Sequence, residues 1–173
     1  MLVVRAGAAR AQEGIFLAPD AAPRSLFPNA QDVSERTIAS TPGLKEWIRA
    51  ILGQPPTVWE PEYRIFAAKR QGRVLGFVVI VEEIGKHRPI TFAVAVMPDG
   101  TVHDVAVLAY REAYGGEIKE RRFLKQYGGR DATAPLMPYR DIQNIAGATL
   151  SVHATGRAIK KAVAVLRAIG DVQ

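Results

Sequence analysis

The chain has 173 residues, 48% of them hydrophobic, and its 23 Lys+Arg outweigh 17 Asp+Glu to give a formal charge of +6. That length holds one domain with a real core and is short for two, while the basic balance favours anionic partners: a phosphate-bearing cofactor, a lipid surface or an acidic protein. The absence of cysteine excludes disulfides and thiol catalysis, three widely separated histidines argue against a zinc or iron–sulfur site, and basic clusters without interleaved aromatics argue against a nucleic-acid partner.

At the N-terminus, Ala9-Arg10-Ala11 has the small-x-small pattern after which signal peptidase cuts, but Arg5 interrupts the apolar stretch ahead of it. Residues 1–11 read either as the remnant of a longer export signal, which is the favoured reading, or as an Ala-rich lead. No run of 18 apolar residues occurs, so no transmembrane segment is expected. Residues 12–60 read as an N-terminal helical segment. Pro19 and Pro42 suit first-turn positions of two short helices, 19–27 and 42–52, and Leu44, Trp47, Ile48, Ile51 and Leu52 give the second an apolar stripe. Trp47 and Trp59 read as core packing.

From residue 61 onward the hydrophobic period changes to two. Strands are expected over 63–69 and 73–82 around the turn Gln71-Gly72, then over 90–97 and 101–110 around Pro98-Asp99-Gly100, where Pro presets φ and Gly accepts the left-handed position. Residues 117–127 read as a helix carrying Ile118, Phe123 and Leu124, and 131–139 as a Pro-containing loop. A long amphipathic helix over 151–169 buries Val152, Ile159, Val163 and Leu166. The expected class is α+β: a four-stranded antiparallel meander with helices before and after it, the last one packed on the sheet. His103 and His153 read as structural or surface residues, and Tyr110, Tyr127 and Tyr139 as packing residues.

The segment Gly147-Ala148-Thr149-Leu150-Ser151 lies where a loop meets the last helix. A helix N-terminus presents unpaired N–H groups and the positive end of a dipole. Gly147 permits a sharp turn, Ala148 leaves room, and Thr149 or Ser151 offers a hydroxyl. Local chemistry alone allows two readings, a plain helix cap or a phosphate site, and favours the cap.

Three blocks extend the pattern. Ile84-Gly85-Lys86-His87-Arg88-Pro89-Ile90 is a turn ending in Pro-Ile before a strand; Arg111-Glu112-Ala113-Tyr114-Gly115-Gly116-Glu117 follows the second hairpin; Gln143-Asn144-Ile145-Ala146-Gly147-Ala148-Thr149-Leu150-Ser151 opens the last helix. Over residues 72–168 their order resembles the FMN-binding domain family, which includes flavin subunits of the sodium-pumping NADH:quinone reductase and of Rnf complexes, and the periplasmic domain of the nitrous oxide reductase maturation regulator. The resemblance implies that 61–173 is an FMN-binding domain. It also implies that Thr149 is the residue able to receive FMN through a phosphoester, added by an FAD:protein FMN transferase. Gln143 stands where the family signature has Asp, and Ala146 where it has Ser or Thr; Asp141 is the nearest carboxylate that could substitute.

The other blocks also have readings from their own chemistry. Lys86, His87 and Arg88 could neutralise a phosphate or polarise a flavin edge, or form a solvated basic turn. Gly115 and Gly116 would let backbone approach a flat ring, with Tyr114 available for stacking; alternatively Glu112 to Glu117 is a helix start with Glu117 near the dipole. The cofactor-binding set implied is therefore His87, Arg88, Pro89, Glu112, Tyr114, Gly115, Gly116, Glu117, Gln143, Asn144, Ala146, Gly147, Ala148, Thr149, Leu150 and Ser151. The expected function is an exported, periplasmic FMN electron carrier with a redox partner in or at the membrane, because no Gly-x-Gly-x-x-Gly nicotinamide fingerprint follows a strand. Two alternatives stand beside it: a small FMN-dependent reductase, and a non-flavin module that binds an anion or a partner during maturation of an exported redox enzyme.

Overall fold

The computed structural model describes residues 14–173; the export-signal reading of 1–11 lies outside the described residues. Six strands, β1 (Gly14–Ile15), β2 (Asp32–Ala39), β3 (Glu62–Arg70), β4 (Arg73–Ile84), β5 (Pro89–Val96) and β6 (Val102–Tyr110), form one antiparallel sheet in the order β1-β6-β5-β4-β3-β2. The α-helices are α1 (Ala22–Leu26), α2 (Pro42–Leu52), α3 (Arg121–Leu124) and α4 (Thr149–Ala168). The α+β class and the central meander β3 to β6 are as the sequence implies. The count of four strands is not, because β1 and β2 extend the sheet at both edges.

Both additions escape a period-two search for physical reasons. β1 is two residues long, held by pairing to Tyr110 and Ala109 of β6. β2 carries only Val33 and Ile38 as large apolar residues among charged and hydroxyl side chains, yet pairs with β3 along all eight residues, from Asp32 opposite Lys69 to Ala39 opposite Glu62. Its backbone contributes ladder hydrogen bonds, while its side chains are those of a charged edge that resists further pairing. The expected helix over 117–127 is likewise broken. A 3-10 turn at Gly116–Lys119 gives way to extended backbone at Glu120 (ψ 133°), followed by the single turn of α3 and a second 3-10 turn at Lys125–Tyr127.

β4 and β5 read as nearly continuous apolar runs because the sheet is covered on both faces. On one face Ile65, Phe77, Val79, Val81, Phe92, Val94 and Val96 pack with α2 and α4. On the other, Phe66, Val78, Ala93, Ala95 and Leu108 lie beneath Ala22, Leu26 and Phe27 of α1 and its exit. His103 serves this second layer: its ring stacks on Phe27 at 4.6 Å and its Nε2 lies 3.2 Å from the Leu26 carbonyl. α2 is terminated as its sequence dictates, with Pro42 in the first turn, the Thr41 hydroxyl accepting from the Leu44 amide at 3.3 Å, and Gly53 at φ +70° closing the helix. Trp47 is less buried than expected; its indole donates to the Ala164 carbonyl at 3.0 Å while the ring stays 43% exposed.

Between α4 and the sheet lies a closed ionic cluster. The Lys161 ammonium is fully buried and reaches the carbonyls of Val58 and Glu82 at 3.0 and 2.6 Å, with Glu60 and Glu83 carboxylate oxygens each at 2.9 Å. Glu83 in turn accepts from the Arg157 guanidinium and the Thr57 amide, both at 3.0 Å. The Arg157 side chain also donates to the Ile84 carbonyl at 3.0 Å, so the cluster fixes the end of β4 against α4. Among the described residues no helix is long and apolar enough to cross a membrane. Removing one member of a buried ion cluster strands the others without compensation. Lys161→Met is therefore expected to lower the unfolding free energy by about 3 kcal/mol, read from the urea midpoint, whereas an unchanged midpoint would show that Glu60 and Glu83 do not depend on it.

Candidate functional site

The three sequence blocks converge at one end of the sheet, and a carboxylate makes the first junction. Glu112, just past β6, is 9% exposed, and its Oε1 accepts the consecutive backbone N–H groups of Lys86, His87 and Arg88 at 2.6, 2.6 and 2.9 Å. Three amides aimed at one point form a concave anion nest, and here the anion is the chain's own side chain. Burial pushes the Glu112 carboxyl up, but the three N–H bonds and the His87 charge more than offset this and leave it below its ordinary 4.5. The side chains of Lys86, His87 and Arg88 lie on the exposed side of the turn, and Pro89 begins β5.

The second junction is steric. Gly115 has φ +82°, and a Cβ there would stand 2.5 Å from Ala148 Cβ and 3.0 Å from the Tyr110 hydroxyl. The backbone of the second block thus touches the cap residue of α4, which only a glycine opposite a small residue allows. Below this contact the Tyr110 hydroxyl donates to the Tyr114 carbonyl and lies 3.4 Å from Ser151 Oγ. Ser151 is buried, and its Oγ would be 3.1 Å from a Cβ on Gly85. Ser151, Gly85, Glu112 and Tyr110 therefore form the floor on which the blocks meet. Tyr114 stands above it with its side chain 83% exposed. Gly116 and Glu117 begin the following 3-10 turn, with Glu117 exposed.

The third junction is the start of α4. Gly147 turns the chain at φ +78°. The helix begins at Thr149, and its cap position is Ala148, which has no side-chain hydrogen-bonding group. Neither Thr149 nor Ser151 is the cap. The first bond of the helix runs from the Val152 amide to the Ala148 carbonyl at 3.0 Å, so the amides of Thr149, Leu150 and Ser151 have no intrahelical acceptor. The Thr149 hydroxyl is half-buried and accepts from Asn144 Nδ2 at 2.9 Å, and the same nitrogen donates to the Tyr139 hydroxyl at 2.6 Å. Asn144 Oδ1 is closed off from solvent without a donor. Ala146, Gly147 and Leu150 are exposed around this point. Gln143 donates its amide to Gln126 Oε1 at 2.8 Å, and with Asn144 and Glu117 it lines a cavity of about 260 Å³.

Two expectations need correction. Asp141 does not stand in for the signature aspartate: its carboxylate accepts from the Leu136 and Met137 amides at 3.1 and 2.9 Å and from the Arg130 guanidinium at 2.9 Å, which ties it to the loop before the site. Tyr139 is not a packing residue but is 79% exposed. Tyr127 is buried as expected, and Tyr110 combines packing with the hydrogen bond to the second block. His153 sits in the second turn of α4; burial first, then the nearby Arg157 charge, lowers its pKa. A separate cavity of about 460 Å³, lined by Ile38, Leu44, Trp47 and Arg167 among others, touches none of the three blocks.

Residues 85–164 match the FMN-binding domain family. The match is one continuous segment. It contains the Gly85 turn, the Glu112 clasp and the start of α4, and the cofactor it names is FMN, as the sequence blocks imply. One relative is a component of the proton-translocating ferredoxin:NAD(+) oxidoreductase complex of Clostridium ljungdahlii, 29% identical over 105 residues, which are 57% of this chain and 57% of the relative. The chain thus spans little more than half the length of that relative. The crystal structure of Shewanella oneidensis NqrC has the same fold, with a TM-score of 0.57 over 86% of each chain at 18% identity. The residues present at the start of α4 fit a phosphate-bearing ligand. Amide donors without helical acceptors lie beside the Thr149 and Ser151 hydroxyls, next to the contact of Gly115 with Ala148.

The Glu112 clasp has a pH signature. A carboxyl whose folded pKa is depressed contributes stability that is present above its unfolded value and is lost as pH falls through the folded one. Glu112→Gln is expected to cost about 1 kcal/mol near neutrality, the difference between a charged and a neutral acceptor. In paired urea titrations the gap between wild type and variant should close as pH drops below 4.5; a gap constant across that range would assign the loss to packing instead.

Proposed function

We propose that the chain is an exported, periplasmic electron-transfer protein that holds FMN by its phosphate at the N-terminus of α4, with Thr149 as the attachment point. The observation that carries this reading is the open start of α4: three amides without helical acceptors beside a Thr149 hydroxyl whose oxygen is already fixed by Asn144. A phosphate there meets the positive end of a 20-residue helix. The small-x-small pattern at residues 9–11 supports export, and the redox complex named in the C. ljungdahlii relative supports a redox partner in or at the membrane.

FMN supplies one- and two-electron transfer, and the protein's part is binding, orientation and electrostatics. Gly115 and Ala148 bring the backbone of two blocks into contact and leave no side chain between them. Ser151 and Tyr110 close the floor, and Lys86 and Arg88 keep cationic side chains on the exposed side of the turn, beside His87. For the covalent form, Thr149 would supply the hydroxyl that takes the FMN phosphoryl group from FAD, with AMP as the leaving group and an FAD:protein FMN transferase as the catalyst.

The test is flavin fluorescence of the denatured protein in a gel, after production with and without the transferase. A fluorescent band is expected only with the transferase and should be lost in Thr149→Val, which keeps the shape and removes the hydroxyl. A band that persists in Thr149→Val would move the attachment elsewhere, and colourless native protein after reconstitution with excess FMN would overturn the flavin reading.

A further inference from the structure

Lys86 and Arg88, with His87 between them, are exposed on the turn that joins β4 to β5. Their amides are held from within by Glu112, so the backbone that carries these side chains is ordered before any partner arrives. The turn adjoins the site directly. A Cβ on Gly85, the residue before Lys86, would stand 3.0 Å from Glu112 Oε1 and 3.1 Å from Ser151 Oγ. Two residues beyond Glu112 is Tyr114, the most exposed large side chain of the region at 83%. Glu112 thus joins an exposed aromatic to an exposed basic turn.

The carboxylates nearby are engaged elsewhere. Glu112 is buried on the three amides. Glu82 lies 3.8 Å from the Arg111 guanidinium, which itself donates to the Pro89 carbonyl at 3.1 Å. Glu117 and Glu120 line the cavity beside Gln143. Among the described residues none of these acids pairs with the Lys86 ammonium. An exposed aromatic with a basic flank is complementary to a face that is acidic and partly apolar. Charge so displayed speeds encounter more than it tightens a complex, which suits a partner that must arrive, exchange an electron and leave.

We propose that the Lys86-His87-Arg88 turn, with Tyr114 beside it, is the docking surface for an acidic redox partner protein. This rests on the FMN reading above and adds the charge of the partner. In the exchange the reduced flavin is oxidised by two electrons, each of two one-electron acceptors gains one, and the protons taken up on reduction return to solvent. The experiment uses Lys86→Glu, which keeps the clasp because Lys86 meets Glu112 through its amide. Arg73→Glu, at the far end of the 12-residue β4, makes the same change in net charge away from the site. Reduced, FMN-loaded full-length protein is reoxidised in stopped flow by ferricyanide, an anion, or by hexaammineruthenium(III), a cation. At low ionic strength Lys86→Glu is expected to slow ferricyanide about tenfold and to speed hexaammineruthenium, with both effects fading as salt is added. Arg73→Glu should move neither. Redox-inert, paramagnetic hexacyanochromate(III) should broaden the amide NMR signals of Lys86, His87 and Tyr114 in wild type, and less so in Lys86→Glu. Wild-type rates in Lys86→Glu would overturn the proposal, as would equal effects of the two variants or a slowing of both acceptors. Binding to phosphatidylglycerol vesicles that Lys86→Glu abolishes would also overturn it, by assigning the turn to a lipid surface. A wild-type chain that retains no flavin would instead overturn the reading on which the proposal rests.

Discussion

One carboxylate oxygen of Glu112 collects the amides of Lys86, His87 and Arg88, and the geometry of the site follows from that clasp. It joins the end of β6 to the turn between β4 and β5. With both strands fixed at this end of the sheet, Gly85 sits beside Ser151, and Gly115 lies against Ala148 at a distance that admits no side chain. The clasp also divides the electrostatics of the region. A turn rich in basic residues would be a natural place for a phosphate, but its converging amides are already filled by an internal anion. The amides of Thr149, Leu150 and Ser151, at the start of α4, are by contrast open.

α4 can hold an open N-terminus because the rest of it is anchored well below. Val152, Ile159, Val163 and Leu166 pack on the sheet, and the fully buried Lys161, with Glu83 and Arg157, locks the helix to the end of β4. Strand β4 leads directly into the Gly85 turn, so the ionic cluster and the Glu112 clasp act on the same piece of backbone from opposite ends. Uncapped amides at a helix start are a local deficit in stability, and deep apolar burial further along the helix offsets it. The buried part of the helix supplies stability, and its first turn stays open.

Most of this is legible in the sequence where hydrophobic period and turn chemistry agree. The meander from β3 to β6, the caps of α2 and the position of α4 all follow from alternation, from Pro-Asp-Gly and from the placement of proline and glycine. β2 is not legible, because an edge strand covered with charge has no apolar period, and its pairing with β3 rests on the backbone ladder with a cross-strand ion pair of Glu35 and Arg64. The three site blocks are legible as an ordered set of motifs, but the roles within them are not. In the sequence Glu112 looks like a ligand contact, and it is the clasp of a turn; Ser151 looks like an available hydroxyl, and it is part of the floor. Asp141 looks like a substitute for the signature aspartate, and it is bound to Arg130. Such assignments depend on which groups meet across distant parts of the chain, and no local pattern records that. Tyr139, in a Pro-containing loop, looks like packing until its exposure is known.

The central claim is that the phosphate of FMN rests on the amides of α4 and not on the basic turn filled by Glu112. Amide chemical shifts followed by NMR during an FMN titration test it most directly. The account predicts large saturable shifts at Thr149, Leu150 and Ser151, with the amides of Lys86, His87 and Arg88 little moved because they stay bonded to Glu112. Large shifts at residues 86–88, with 149–151 unmoved, would contradict it.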